Sequence, residues 1–264
     1  MGCEPINQRD GMSEFPDMGV VILAAGKGTR MKSQLPKVLH KVQSREMILH
    51  VIESVLPLVG NQVYVVVGHQ AEQVKTVVSD QYTVEFALQE QLLGTGDAVK
   101  AALPFLPDHI KSVLILCGDV PLIRTKTLRS MIRQHEQDRL DITVMTVLLP
   151  DPTGYGRVIQ DDQGRVSGIV EQADATEAQK SICQVNSGIY LINKDVLSGS
   201  LERIDSNNQQ QEYYLTDIIG IVHRAGGKIG GVAIQDPREV MGVNTLEQLE
   251  TANNLMAVMC NELP

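Results

Sequence analysis

Short runs of apolar, mostly β-branched residues recur along the first 150 residues, and each gap between them is long enough for a helix. Continuous apolar runs of this kind are typical of strands that are buried on both faces of a parallel sheet. A sheet buried on both faces needs a layer of helices on each side. The runs cover residues 20–25, 63–67, 113–117 and 142–149.

The segments between these runs have apolar residues at helical spacing. Strands that alternate with helices form right-handed βαβ units. The sequence therefore predicts an α/β fold with a doubly wound, mostly parallel, Rossmann-like sheet. The predicted helices cover residues 46–58, 71–79, 95–103 and 125–137.

After Pro150 the pattern changes to closely spaced strand-like runs with glycine-rich connections. This pattern predicts a mixed β extension of the sheet, followed by two helices, one more strand and a closing helix. The three runs cover residues 155–160, 165–171 and 185–192, the helices 194–204 and 214–225, the last strand 228–234 and the closing helix 246–259.

Composition and charge exclude several classes of protein. The chain has 23 Lys and Arg against 32 Asp and Glu, a formal charge of −9, which argues against nucleic acid or an anionic membrane as a partner. No apolar run approaches the roughly 18 to 20 residues that a membrane span needs. The four cysteines are scattered without a CxxC pair, so we expect reduced thiols and a cytoplasmic protein. Residues 1–18 lack any period and are expected to form a flexible leader.

A glycine-containing loop follows the first predicted strand and resembles three kinds of phosphate loop. A Rossmann fingerprint is a poor match because Met31 stands where the third glycine belongs, and a Walker A loop is a poor match because Val21 replaces its first glycine. The third kind wraps a triphosphate with backbone N–H groups and basic side chains. Residues 19–45 contain six Lys and Arg and no Asp or Glu, which favours this interpretation. An ordinary glycine turn beside a basic surface is the alternative.

Three parts of this region together resemble the signature loop of the sugar-1-phosphate nucleotidyltransferases, and most of all that of the N-acetylglucosamine-1-phosphate uridylyltransferases. They are Leu-Ala-Ala-Gly at 23–26, Gly-Thr-Arg-Met at 28–31 and Pro-Lys-Val-Leu at 36–39. The resemblance extends over about residues 19–255 and implies a nucleotidyltransferase fold of the glycosyltransferase-A-like type. It assigns catalytic roles to Arg30 and Lys37. It implies nucleotide binding by Leu23, Ala24, Ala25, Gly26, Gly28, Thr29 and Lys37.

An acidic residue, Asp119, follows the predicted strand 113–117. A carboxylate at the carboxyl end of a parallel strand, opposite a basic phosphate loop, is well placed to hold Mg²⁺. The alternative, a helix cap, is weakened by Pro121. The resemblance implies the same catalytic and metal-binding role for Asp119, and it adds Asn244 as the second metal ligand. Without the resemblance, Asn244 would be interpreted as a turn residue or a helix N-cap.

A second polar segment follows the third strand and opens a helix, with Gln89 at its start and a Gly-Thr-Gly sequence at 94–96. An amide and a hydroxyl beside exposed backbone can bind the edge of a base, whereas Thr95 could instead cap the helix. The resemblance implies that Gln89, Gly94 and Thr95 bind uracil. The family commonly has Gln and His where this chain has Leu92 and Asp97.

Several residues of the second half could bind a sugar, although each alone would be interpreted as a turn, cap or surface residue. A glycine in a tight turn allows a sugar to lie against the backbone, and a carboxylate and an amide on neighbouring strands can bind hydroxyl groups. The resemblance implies that the sugar is bound by Gly118, Gly156, Glu171, Asn186, Tyr214, Thr216 and Asn244.

The resemblance implies the transfer of a uridylyl group from UTP to N-acetyl-α-D-glucosamine 1-phosphate with Mg²⁺ as cofactor. A related enzyme for glucose 1-phosphate or another nucleotide, and a nucleotide-sugar-binding protein without turnover, are the alternatives. Relatives often carry a second domain of hexapeptide repeats, so we expect either a monofunctional member or part of a bifunctional one, as a monomer or weak homodimer. The expected single domain, 19–264, has a nucleotide part at about 19–150, a sugar part at 151–245 and a closing helix at 246–264.

Overall fold

The computed structural model of the protein describes residues 13–261. The strands are β1 (Met18–Leu23), β2 (Lys41–Val42), β3 (Arg45–Glu46), β4 (Val63–Val67), β5 (Glu85–Leu88), β6 (Ser112–Cys117), β7 (Ile142–Leu148), β8 (Arg157–Gln160), β9 (Val166–Val170), β10 (Gln184–Asn193) and β11 (Ile229–Ala233). The helices are α1 (Met47–Val59), α2 (Ala71–Ser79), α3 (Thr95–Ala102), α4 (Thr125–Asp138), α5 (Glu177–Lys180), α6 (Lys194–Leu201), α7 (Asp217–Arg224) and α8 (Leu246–Asn261).

The central sheet has the strand order β11-β7-β10-β6-β1-β4-β5. Within this order of the described strands, the contacts β5–β4, β4–β1, β1–β6 and β7–β11 are parallel, and β10 is antiparallel to both of its neighbours. In the central pair, Leu23 is opposite Cys117, so β1 and β6 end at the same level. Ligands of such sheets bind beyond the carboxyl ends of the strands, and here the two central strands end side by side.

Each central strand contributes side chains to two apolar layers. Val20 and Ile22 of β1 lie in one layer and Val21 in the other, as the alternation of side chains along a strand requires. Ile52 on α1 covers the first layer and Val99 on α3 covers the second. Each such side chain stabilises the fold by about 1.5–3 kcal/mol when fully buried. This burial on both faces explains the continuous apolar runs, and the predicted mostly parallel α/β sheet is confirmed.

The second half of the chain joins the sheet at its centre. β10 lies antiparallel between β6 and β7, and the hairpin of β8 and β9 pairs with β10 through Arg157 and Val185. The register of β10 against β7 shifts between Asn186 and Tyr190. The expected mixed extension is therefore present, but part of it is a central strand, so the parts predicted to bind nucleotide and sugar share one sheet.

The expected leader is shorter than predicted. Phe15 is only 8% exposed and its N–H donates to the Leu58 carbonyl oxygen (2.8 Å), while Glu14 forms ion pairs with Arg129 and Arg133 on α4. Met18 is already the first residue of β1. The prediction of a leader is wrong for residues 13–18 because Phe15 and Glu14 have partners on α1 and α4. Residues 1–12 lie outside the described part.

Smaller differences between the predicted and the observed helices and strands have local causes. The helix predicted over 214–225 begins only at Asp217, because the preceding residues bind another segment: the Leu215 N–H donates to Thr95 Oγ1 (3.0 Å). The β2–β3 hairpin was not predicted, since two-residue strands carry no periodic pattern. Within residues 13–261, no helix combines the length and the apolar character that a membrane crossing requires.

A buried histidine links α4 to the sheet. His135 is 4% exposed, with Nδ1 2.8 Å from Thr143 Oγ1 and Nε2 3.3 Å from Asn193 Oδ1. Burial lowers the pKa of His135 below its ordinary value, and this effect outweighs the hydrogen bond to Asn193 and the charge of Asp141. The folded protein therefore favours the neutral ring.

We predict that this histidine makes the fold sensitive to acid. Below about pH 6.5 an unfolded histidine takes up a proton that the folded one resists, so the unfolding free energy falls as the pH decreases through this range. Chemical denaturation at pH 7.5 and 5.0 should show a larger loss of unfolding free energy in the wild type than in His135→Gln. Equal losses in both proteins would contradict the prediction.

Candidate active site

The glycine loop continues directly from β1 and is fixed to the neighbouring strand. The Ala24 N–H donates to the Val66 carbonyl oxygen (2.8 Å), and the Ala25 carbonyl oxygen accepts from the His69 N–H (3.1 Å). Gly28 then adopts φ +60°, a conformation that glycine tolerates best, and leads into a short 3₁₀ helix over Thr29–Met31. Met31, the last residue of this short helix, is 1% exposed and anchors the loop in the core.

The same loop touches the backbone of the predicted catalytic lysine. A Cβ atom at Gly28 would lie 2.7 Å from Lys37 Cβ, so only glycine allows this approach. Lys37 begins a second 3₁₀ helix, Lys37–Leu39, whose Val38 and Leu39 side chains are buried. The sequence thus fixes the lysine backbone between the core and the loop, and its ammonium group extends towards β6.

Asp119 lies where the loops after β1 and β6 meet. The Gly118 N–H donates to the Leu23 carbonyl oxygen (2.9 Å), which extends the β1–β6 pairing past the end of β6. The Asp119 carbonyl oxygen accepts from the Val243 N–H (2.9 Å) and so holds the segment before α8. The alternative of a helix cap is wrong, because α4 begins only at Thr125.

Four of the predicted site residues come together at this point. The Lys37 ammonium donates to the Asp119 carboxylate and to Asn244 Oδ1 (3.0 Å), and Arg30 Nη2 donates to Asn244 Oδ1 (2.9 Å). Asn244 is free for these contacts because Thr245 provides the cap of α8, with its Oγ1 accepting from the Gln248 N–H (3.2 Å). The N-cap interpretation of Asn244 is therefore wrong.

The two oxygens that were predicted to hold a metal ion already share one cation, the Lys37 ammonium. A carboxylate and an amide oxygen close enough to contact one small cation are suitable donors for a hard divalent metal ion, which completes its shell with water and phosphate oxygens. Within the described residues, no group of three or more His, Cys, Asp or Glu could hold a metal. Asp119 and Asn244 therefore fit a divalent metal ion as two of its oxygen donors.

The predicted base segment lies at the end of β5. Gln89 is 5% exposed and its backbone N–H donates to the Val67 carbonyl oxygen (2.8 Å). A Cβ atom at Gly68 would lie 2.8 Å from Leu92 Cδ2 and 2.9 Å from Ala25 Cβ. The base segment and the glycine loop therefore meet over the end of β4, and both can contact one nucleotide.

The glycines of the base segment serve a backbone contact. A Cβ atom at Gly94, where φ is +118°, would lie 2.6 Å from the Tyr213 carbonyl oxygen. The Gly96 N–H donates to the same oxygen (2.8 Å), and Thr95 Oγ1 accepts from the Leu215 N–H. The interpretation of Thr95 as a helix cap is wrong. We call these contacts between residues 93–96 and 213–215 the clasp.

The predicted sugar residues form a second group around β8–β10. The Asn186 N–H donates to the Gly156 carbonyl oxygen (2.8 Å), and the Asn186 amide group binds Tyr190 Oη and the Gly188 N–H. A Cβ atom at Gly156 would lie 3.3 Å from Glu171 Oε2. The structure therefore brings Gly156, Glu171 and Asn186 together as predicted, with Asn186 held on both ends of its amide.

Glu171 also binds the segment that carries the clasp. Its Oε1 accepts from Thr216 Oγ1 (3.0 Å), so Thr216 does not cap α7 with its side chain. Tyr214 lies beside it, with its hydroxyl 2.8 Å from Gln210 Oε1 and 3.3 Å from Asp174 Oδ2. Gln210 and Asp174 were missed in the sequence, because an isolated polar residue in a loop gives no periodic signal.

Charge effects connect the two groups of residues. Burial is the first cause that raises the pKa of Glu171, and the Thr216 hydroxyl partly opposes it. Burial and the Asp119 charge raise the pKa of Tyr155, and burial and the Glu171 charge raise that of Tyr190. Asp119 therefore lies near Tyr155 in the turn before β8, and Glu171 lies near the buried Tyr190 on β10.

Comparison with known sequences finds a matching family model and related proteins. A family model described as nucleotidyl transferase matches residues 19–232. The chain is 44% identical over 242 residues to the bifunctional protein GlmU of Staphylococcus carnosus (strain TM300), covering 92% of this chain and 53% of that protein. It is 41% identical over 250 residues to the bifunctional protein GlmU of Desulfotalea psychrophila, covering 95% and 74%. The chain spans about half the length of the first of these relatives.

A solved structure has the same fold at low sequence identity. The 2.76 Å crystal structure of a candidate glucose-1-phosphate thymidylyltransferase from Bacillus anthracis, in complex with sucrose, matches with a TM-score of 0.70 and 18% identity. The match covers 90% of this chain and 94% of that one. The α/β architecture predicted from the alternating runs is therefore found in a whole solved chain.

We predict that Gly28 is needed for the loop that contacts Lys37. Gly28→Ala places a Cβ atom against Lys37 Cβ in a left-handed conformation, and we expect it to lower the unfolding free energy by about 1–3 kcal/mol. Gly26→Ala is the matched control, since nothing lies within 4 Å of its Cβ position and its φ is not positive. Equal thermal unfolding temperatures of the two variants would contradict the prediction.

Proposed function

Because the chain belongs to the nucleotidyl transferase family, we propose that it transfers the uridylyl group of UTP to N-acetyl-α-D-glucosamine 1-phosphate. The products are UDP-N-acetylglucosamine and pyrophosphate. The observation that carries this proposal is the convergence of Arg30, Lys37, Asp119 and Asn244 beside the glycine loop. The identity of more than 40% to proteins named GlmU supports the choice of substrates.

The coarser features of the reaction follow from the family. Its sugar-1-phosphate members take a nucleoside triphosphate and a sugar phosphate, and they generally use a divalent metal ion. We propose Mg²⁺ as this ion, held by Asp119 and Asn244, because it prefers oxygen ligands and is commonly bound together with substrate phosphates. When bound, it would neutralise negative charge on the phosphate oxygens.

The reaction needs no general base. A phosphate oxygen of the sugar phosphate attacks the α-phosphorus of UTP, and the bond from that phosphorus to the bridging oxygen of pyrophosphate breaks in line. The sugar phosphate is already ionised near neutral pH, so the obstacle is repulsion between two anions. Catalysis therefore rests on positioning and on positive charge.

The lysine and the arginine supply this charge from the chain itself. Lys37 is fixed at its backbone by Gly28 and the buried Val38, so its ammonium group can stabilise charge on the α-phosphate without a large loss of side-chain freedom. Arg30 lies in the neighbouring turn, contacts the same asparagine and is exposed, which suits a group that binds the departing pyrophosphate.

The two remaining groups of residues select the substrates. Gln89, Gly94 and Thr95, beside Ala25, would bind the uracil. Glu171 and Asn186, with Gly156 between the strands, would bind sugar hydroxyls, and Tyr214 and Thr216 would shape the site for the acetamido group. The base group meets the glycine loop, and Tyr155 beside the sugar group lies within reach of the Asp119 charge, which favours one cleft for both substrates.

Removing either partner of the central ion pair is predicted to abolish most of the turnover. Lys37→Ala and Asp119→Ala should each lower kcat by about 100-fold or more, because each removes charge needed at the reacting phosphate. Pyrophosphate release is the measurement, and Lys41→Ala is the control, since its exposed side chain pairs with Glu46 away from Asp119. Near-wild-type release by both variants would overturn this assignment.

A substrate panel tests the reaction itself. Pyrophosphate release is compared for UTP, CTP, dTTP and ATP, each with N-acetylglucosamine 1-phosphate, glucose 1-phosphate and galactose 1-phosphate. We expect kcat/KM to be highest for UTP with N-acetylglucosamine 1-phosphate and turnover to stop when EDTA removes the metal. A clear preference for glucose 1-phosphate or for dTTP would replace the proposed substrates by those of a related enzyme. Nucleotide-sugar binding without any release would favour a binding protein.

A further inference from the structure

The side-chain amide of Gln89 has a defined orientation. Its Nε2 lies 3.0 Å from the Gly94 carbonyl oxygen and 2.8 Å from Asp97 Oδ2. A carbonyl oxygen and an ionised carboxylate can only accept hydrogen bonds, so the amide must place its NH₂ group towards both of them. The reverse orientation would bring three oxygens together in a buried place. Gln89 therefore has its NH₂ group fixed on the side of the loop.

Asp97 is the stronger of the two partners that impose this orientation. It lies in the first turn of α3, so its backbone is held by the helix while its carboxylate reaches back to the end of β5. A hydrogen bond to an ionised acceptor is stronger than one to a neutral carbonyl oxygen. Asp97 thus determines which end of the amide faces away from the loop.

The carbonyl group of this amide remains available for a ligand. Since the NH₂ group is used twice, Gln89 Oε1 must lie on the opposite side of the amide, and among the described residues it accepts no hydrogen bond. A single acceptor aimed at a base distinguishes the pyrimidines. Uracil and thymine carry a hydrogen on N3 that Oε1 can accept, whereas N3 of cytosine is itself an acceptor and would be repelled.

We propose that Asp97 is a specificity-determining residue that selects imide bases by fixing the orientation of the Gln89 amide. This inference rests on the proposed function, since it concerns the base that is bound at the same site. If the amide could turn, its NH₂ group could face cytosine N3, and the preference for uracil over cytosine would weaken. Asp97 itself does not touch the base, so it acts through Gln89 as a positioning residue.

The nearby leucine supports the placement of a flat base at this point. Leu92 and Ala25 both approach Gly68, and they form an apolar surface next to Gln89 at the end of β4. A base that lies against this surface would present its edge to the amide. Leu92 and Asp97, the two positions that differ from the family pattern, therefore both lie beside Gln89.

The experiment compares nucleotides that differ only at N3. Calorimetry on the wild type should show that 3-methyl-UTP, which lacks the N3 hydrogen, binds at least about tenfold more weakly than UTP. In kinetics, Asp97→Leu should reduce the preference for UTP over CTP in kcat/KM about tenfold, through KM of the nucleotide, while KM of the sugar phosphate stays unchanged. Asp97→Asn keeps a carbonyl acceptor and should retain the preference within about threefold.

The controls separate this role from a structural one. A loss of helix stability alone would change the unfolding temperature without changing the preference for UTP. In a Gln89→Ala background, Asp97→Leu should have no further effect on that preference, because the group it orients is absent. Equal binding of UTP and 3-methyl-UTP by the wild type, or an unchanged UTP preference in folded Asp97→Leu, would overturn the inference and leave the proposed reaction in place. A wild type that turns over no UTP would instead overturn the proposed function.

Discussion

The parallel pairing of β1 with β6 is the contact on which the rest of the site depends. Because Leu23 is opposite Cys117 and the Gly118 N–H continues the pairing, the glycine loop and Asp119 leave the sheet at the same level. The basic loop and the acidic residue are then neighbours without any further adjustment. A register shift of one residue would separate them and would also exchange the two apolar faces of β1.

The ion pair of Lys37 and Asp119 joins segments from three parts of the sequence. Asn244 shares the lysine, and the Val243 N–H binds the Asp119 carbonyl oxygen, so the residues before α8 close over the ends of β1 and β6. Such a partly buried pair is not in itself a large source of stability, because both charges lose solvation. The pair instead fixes the positions of two oxygens and an ammonium group beside the glycine loop.

The sequence indicates the sheet and the loops better than the contacts between them. β4 and α2 have the predicted bounds because continuous apolar runs and helical spacing determine them locally. The clasp could not be predicted because it joins residues more than a hundred positions apart. The orientation of the Gln89 amide could not be predicted because it depends on the rotation of one side chain. Asn244 was found only through resemblance, and Phe15 was missed because its partner, the Leu58 carbonyl oxygen on α1, lies more than forty positions along the chain.

The clasp has a consequence for how such a protein can change its substrates. It ties the turn that opens α3 to the loop before α7 by hydrogen bonds from the N–H groups of Tyr213, Leu215 and Gly96. Any substitution that moves one backbone moves the other. Under the proposed function, a mutation that enlarges the proposed base site would therefore also alter the position of Tyr214 and Thr216, which are proposed to shape the sugar site. Evolution of a new nucleotide preference and of a new sugar preference would therefore be linked, and variants that alter one alone should arise at side chains rather than along the clasp backbone.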